Sequence, residues 1–168
     1  ILSVYLDFFG SELYLSEEID LESAEDSLYR GIDKDLQEKG IPQTPGREFL
    51  KLGIAADLGG RPFAAEGYFR EAIGKFQDEG EKKGESVVLN NLALVYETRG
   101  DYHEATKYFK KALEISIELG NRKEEGMILG NLGMIARDMG KLDISTSLIE
   151  DSLEIRKEIG DRKGEGMC

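Results

Sequence analysis

Glycine recurs along this chain at a fixed step. Gly40, Gly80, Gly120 and Gly160 lie forty residues apart, and so do Gly60, Gly100 and Gly140. Laid without gaps on 128–167, the segment 88–127 keeps fifteen of its forty residues identical. Unrelated segments would share roughly 5–8% through composition alone, so the chain carries an internal duplication. The segment 48–87 fits the same frame through Leu52, Gly60, Ala65, Phe69, Ala72 and Gly80, whereas 8–47 fits only in its second half, through Leu28, Tyr29, Ile32, Leu36 and Gly40. A motif of this length cannot bury both of its apolar faces alone and gains stability by stacking on its neighbours. The recurrence therefore predicts a row of repeats rather than one central core.

Each repeat reads as two helices, A then B. In 88–99 the apolar positions are Leu89, Leu92, Ala93 and Tyr96, and in 102–119 they are Tyr102, Ala105, Phe109, Ala112 and Leu113, both at helical spacing. Gly100 stops the first helix, Asp101 caps the second, and Glu104 completes a capping-box pattern; Asn121 and Glu124 repeat the device. Thr44-Pro45 and Pro62 open helices in the same way. Expected helices cover 21–39, 46–59, 62–79, 83–99, 102–119, 122–139 and 142–159. Their linkers are so short that neighbours must run antiparallel. Residues 2–18 stay ambiguous, because Gly10 and Ser11 interrupt an otherwise helical stripe; an arm carrying Tyr5, Phe8 and Phe9 is the other reading.

Small residues share phases: Gly53, Ala93 and Gly133; Ala65, Ala105 and Ser145; Ala72, Ala112 and Ser152. They predict close crossing within a pair, with Phe69, Phe109 and Ile149 filling the space between pairs. Ala136, Ser145 and Ser152 predict looser pairing in 128–167.

Composition removes several function classes. Acids outnumber Lys plus Arg by 34 to 22, a formal charge of −12. Nucleic acid as a partner needs the opposite balance. The single cysteine, Cys168, allows no internal disulfide and no thiolate metal site. The single histidine, His103, stands in a first helical turn and reads as a surface residue; acidic pairs such as Glu17-Glu18 and Glu124-Glu125 read as solvated helix ends. No nucleophile–base pair, metal set or phosphate loop is recognisable, so no enzyme, no metal and no cofactor is expected. No apolar run is long enough for a bilayer, and Ile1–Phe9 is broken by Asp7 and lacks the basic flank of a signal peptide, which makes the expected compartment cytoplasmic and a membrane partner unexpected. The unfinished pattern at Cys168 predicts a piece of a longer chain.

Leu92, Ala93, Tyr96, Gly100, Ala105, Phe109 and Ala112 resemble the tetratricopeptide-repeat signature. The forty-residue form, with Asn-Leu-Gly at 131–133 and Gly-Asp-Arg at 160–162, is similar to the repeats of Partner-of-Inscuteable-type scaffolds and to many prokaryotic arrays. Asn-Asn-Leu-Ala at 90–93 resembles kinesin light chain. The resemblance implies an all-α fold, an α-solenoid of antiparallel helix pairs wound as a right-handed superhelix. Residues 1–168 would form one such solenoid, with 8–47 a degenerate repeat and 48–87, 88–127 and 128–167 regular ones.

The resemblance also implies that the helix A face turned from the core lines a concave groove holding a peptide or partner helix. Here that face carries Val87, Asn90, Asn91, Leu94, Glu97 and Thr98. Matching positions are Arg47, Lys51 and Ile54 before it, and Met127, Asn131, Met134, Arg137 and Asp138 after it. Three of the four Asn in the chain lie within helices here, although Asn is a poor helix former. Their amides suit a peptide backbone, or else bond neighbouring helices. Ile54, Leu94 and Met134 form an apolar line that is either a docking strip or a contact between successive A helices. A partner carboxylate near Lys51, Asn91 and Asn131 is a further expectation. The expected function is a protein-binding scaffold. Self-assembly through uncapped terminal repeats, or a regulatory sensor domain of a larger signalling protein, are the alternatives.

Overall fold

The computed structural model describes residues 21–160, which hold seven α-helices and no strand. The N-terminal arm, Glu17-Glu18 and Cys168 lie outside them. The helices are α1 (Leu21–Glu38), α2 (Pro45–Leu58), α3 (Pro62–Glu79), α4 (Lys82–Thr98), α5 (Tyr102–Glu118), α6 (Arg122–Asp138) and α7 (Leu142–Glu158). All seven expected helices are present, with ends within about a residue of those expected, a difference inside the usual fraying of helix ends. Helices A are α2, α4 and α6, and α3, α5 and α7 are their helices B. Two compact bodies divide the chain, one up to Phe76 and one from Gln77.

The repeating glycines set the helix ends. Gly40, Gly60, Gly80, Gly100, Gly120, Gly140 and Gly160 all have φ between 65° and 78°, a left-handed conformation that a Cβ disfavours. At Gly100 the glycine N–H donates to Glu97 O and the next N–H, of Asp101, donates to Tyr96 O. This is a Schellman closure, and Gly40, Gly60, Gly120 and Gly140 repeat it. It changes the expected capping boxes. Asp101 and Asn121 do accept from the N–H groups of Glu104 and Glu124. Their own N–H groups are already engaged by Tyr96 O and Ser116 O, so the acidic side chains turn elsewhere. Glu104 pairs with Lys107, while Glu124, buried, accepts from Asn121 Nδ2 and Ser86 Oγ.

Between the helices of a pair the fit is tight. In the first body a Cβ added at Gly53 would overlap the Phe69 ring, and one at Gly46 would stand 2.7 Å from Phe76. In the second body a Cβ at Gly133 would stand 2.7 Å from Ile149 Cγ1. Phe69 and Ile149 thus press on the glycine of their own pair rather than only filling the space between pairs. Ala65, Phe69, Ala72, Ala105, Phe109 and Ala112 are fully buried. Burial of a side chain such as Phe109 contributes about 1.5–3 kcal/mol. The expected loosening of 128–167 does not occur. Ser145 Oγ donates to Gly133 O at 2.8 Å and Ser152 Oγ to Gly126 O at 2.6 Å, so both buried hydroxyls bond α7 to α6. The fold class is an all-α helical-repeat solenoid.

Candidate functional site

In the first body, α2 carries three of the expected groove residues. Arg47 does not belong to an open face. The residue is 1% exposed, and its guanidinium donates to Ile41 O, Asp33 O and Asp33 Oδ1. The long side chain reaches back over the α1–α2 linker, whose buried Ile41 carbonyl needs a donor. Arg47 is thus a clamp between α1 and α2. Lys51 is also engaged, with Nζ 2.7 Å from Glu48 Oε2 and 4.0 Å from Asp33 Oδ1. Its charge is thus shared with two neighbouring carboxylates. Ile54 is half-buried. A shallow polar cleft runs between α1 and Lys51, lined by Tyr29, Arg30, Asp33 and Lys34.

In the second body the face is open. At 100° per residue, Leu94, Val87, Thr98 and Asn91 share an arc of about 60° on α4, and Met134, Met127, Asp138 and Asn131 share the same arc on α6. Val87 and Leu94 are half-buried, while Met127 and Met134 are each 41% exposed. Four apolar side chains therefore reach solvent along a face that α5 and α7 do not cover. Lys83 and Lys123 stand on the edge of this arc, one turn nearer the helix starts. Sequence reasoning missed them, although the same phase count carried one turn back would have found both.

The three asparagines play different parts. Asn91 Nδ2 donates to Val87 O one turn back at 2.8 Å, which leaves its carbonyl oxygen and second N–H for other partners. Asn131 occupies the same position on α6, half-buried, and makes no side-chain hydrogen bond among the described residues. Asn90, half-buried, turns its carbonyl oxygen inward. Its Oδ1 is buried without a hydrogen-bond partner. The residue forty further on, Gly130, faces α7, where a Cβ would lie 3.3 Å from Ser152 Oγ. The repeat phase puts Asn90 on the corresponding seam between α4 and α5. Thr98 is exposed, with its hydroxyl donating to Leu94 O.

Charge divides along the face. At the C-terminal ends of α4 and α6 stand Glu97, half-buried, and Asp138, exposed. Burial raises the Glu97 pKa, and the Asp138 carboxylate raises it further. Arg137 Nε lies 3.2 Å from Asp138 Oδ1 and offsets that charge in part. In the first body Asp57, at the Glu97 phase of α2, is likewise raised by burial. His103 is exposed, as expected of a surface residue. Among the described residues no group of His, Cys, Asp and Glu could hold a metal ion, and no helix is long and apolar enough to cross a membrane.

Comparison with known proteins bears on the fold and the family. A tetratricopeptide-repeat family model matches residues 49–118 and 84–158. Among solved structures, the chain is similar to BtubC (BKLC) from P. vanneervenii, with a TM-score of 0.66 and 22% identity, over 83% of this chain and 57% of that one. MamA aligns over 88% of this chain and 99% of its own, with 17% identity and a TM-score of 0.38. The chain thus spans little more than half the length of BtubC. No curated protein sequence matches it. Tetratricopeptide repeats generally mediate protein–protein interaction or scaffolding, and proteins built from them are typically non-catalytic. The forty-residue helix pairs, their glycine closures and the match across 49–158 together make this chain a member of the tetratricopeptide-repeat family.

Proposed function

We propose that this chain is a non-catalytic binding scaffold, and that the open face of α4 and α6 receives a peptide or helix of a protein partner. The observation that carries the reading is the apolar line of Val87, Leu94, Met127 and Met134, which the second body leaves accessible. Apolar side chains gathered on one face mark interaction sites. Methionine, with three rotatable bonds and a polarisable sulfur, adapts to varied partners. Asn91 and Asn131 flank the line and supply amide donors and acceptors for a partner's backbone. The binding is to a preformed surface on rigid helices, so little ordering cost falls on the scaffold itself. Nothing in this function needs a nucleic acid, membrane, metal or cofactor, and a cytoplasmic setting suits it.

The test is titration of whatever protein co-purifies with the domain against wild type, Met127→Ala/Met134→Ala and Asn91→Ala/Asn131→Ala, with helicity checked by circular dichroism. Affinity should fall in both double variants. Unchanged affinity in both, at full helicity, would overturn the reading.

Self-assembly is a second reading with its own observation. Leu142 and Ile144 of α7 are 64% and 54% exposed, and light scattering that shows a monomer at high concentration would count against it.

A further inference from the structure

Two cations on the open face have no counter-charge within the chain. Lys83 of α4, half-buried, and Lys123 of α6, exposed, stand forty residues apart at one phase, and neither makes an ion pair among the described residues. The cations just before them differ: Lys82 pairs with Glu118, and Arg122 with Glu125 and Glu158. The other carboxylates near in sequence are also engaged. Glu81 accepts from Lys83 N, Glu85 from Gln77 Nε2, and Glu124 from Asn121 Nδ2 and Ser86 Oγ. The Ser86–Glu124 bond, 3.1 Å long, ties the start of α4 to the start of α6, so both lysines stand at the same end of the face. At the other end Asp138 is paired with Arg137, and Glu97 lies on the Asn90 side of α4, outside the open arc. The first turn of a helix disfavours a cation. Acids outnumber Lys plus Arg by 34 to 22, so the lack of an acidic partner at both matching positions points to a role outside the folded chain.

We infer that the partner segment bound on this face is acidic along one flank: its apolar side chains rest on Val87, Leu94, Met127 and Met134, and Asp or Glu side chains at the flank meet Lys83 and Lys123. The inference rests on the proposed binding face and adds the chemistry and the orientation of its occupant. At 1.5 Å per residue, Val87 and Met127 lie about 6 Å along the helices from the lysines, and Leu94 and Met134 about 16 Å. One amphipathic segment can therefore reach both. A carboxylate placed there gains from two ammonium groups and from the positive ends of α4 and α6. A Lys or Arg would meet the same groups as repulsion, so charge fixes which flank of the partner lies at the helix starts. The net charge of −12 opposes an acidic partner only weakly, because charges more than about 8 Å away are largely screened at physiological salt. Contact at Lys83, half-buried one turn from Val87, is screened less.

The test uses two labelled 18-residue helical peptides with the same Leu face, one flanked by Glu and the other by Gln, and reads binding by fluorescence anisotropy at physiological salt. Wild type should bind the Glu peptide about fivefold more tightly, the size of two partly screened charge pairs. Lys83→Gln/Lys123→Gln should erase that preference and leave the affinity for the Gln peptide unchanged, which shows the face intact. Lys110→Gln/Lys111→Gln, the same change of charge on exposed residues of α5, should keep the preference. Equal binding of the two peptides to wild type, a preference that survives Lys83→Gln/Lys123→Gln, or one lost equally in the α5 variant would overturn this inference and leave the binding face standing. Failure of wild type to bind either peptide would remove the binding face, and this inference with it.

Discussion

At the scale of single residues, Arg47 and Glu97 show how one helix A face serves two purposes. Arg47 shares its helical phase with Val87 and Met127, and the forty-residue frame alone puts all three on the open side. The difference lies in reach. A guanidinium can turn back across fourteen residues to Asp33 and cap the buried Ile41 carbonyl, and no periodicity in the sequence encodes that return. Arg47→Met should leave these acceptors unpaired and destabilise the fold by about 2–4 kcal/mol. Urea denaturation showing a loss under about 0.5 kcal/mol would contradict the clamp. Glu97 has the opposite character. Its pKa is raised from 4.5 by burial and by Asp138, so the folded chain holds this proton to higher pH than the unfolded chain does. Stability from this source is therefore fully present below pH 4.5 and declines as pH rises through the raised value. Glu97→Gln should raise Tm at pH 7, and the gain should vanish near pH 3, where both side chains are neutral. A gain of equal size at both pH values would disprove the carboxylate origin.

At the scale of helices, most of the fold was legible because its punctuation is chemical. A glycine required at positive φ, followed by Asp or Asn, announces a stop and a start in two residues, and the Schellman closures at Gly100 and Gly120 realise it. What stayed hidden depends on the partner element. Serine in place of alanine reads as a weaker contact until the helix opposite is known to present a carbonyl at a glycine, as Gly133 and Gly126 do to Ser145 and Ser152. Asn90 reads as outward in the sequence for a related reason: its arc borders both the seam and the open face, and only the buried Oδ1 shows where its carbonyl oxygen points. The same dependence separates two glycines that look alike in sequence. Gly53→Ala would drive a methyl into the Phe69 ring and should destabilise by about 1–3 kcal/mol. Gly74, mid-helix in α3 with open space around its Cβ direction, should accept alanine with a gain of about 0.4–1 kcal/mol. Thermal melts of the two variants should move in opposite directions, and parallel shifts would refute the packing described for α2 and α3.

At the scale of the whole molecule, the excess of acids makes stability depend on salt. A formal charge of −12 on 168 residues makes the folded chain repel itself, because folding gathers charges that the unfolded chain keeps further apart. Surface pairs such as Lys82–Glu118 and Arg122–Glu158 tie the start of a helix A to the end of its helix B in two successive repeats. Exposed pairs of this kind contribute only about 0–1 kcal/mol each. Added salt shortens the Debye length to about 8–10 Å near physiological strength and should relieve that repulsion, so Tm should rise between about 20 mM and 300 mM NaCl. Calorimetry on a salt series reads the trend. A Tm that falls with salt would mean that the ion pairs outweigh the repulsion.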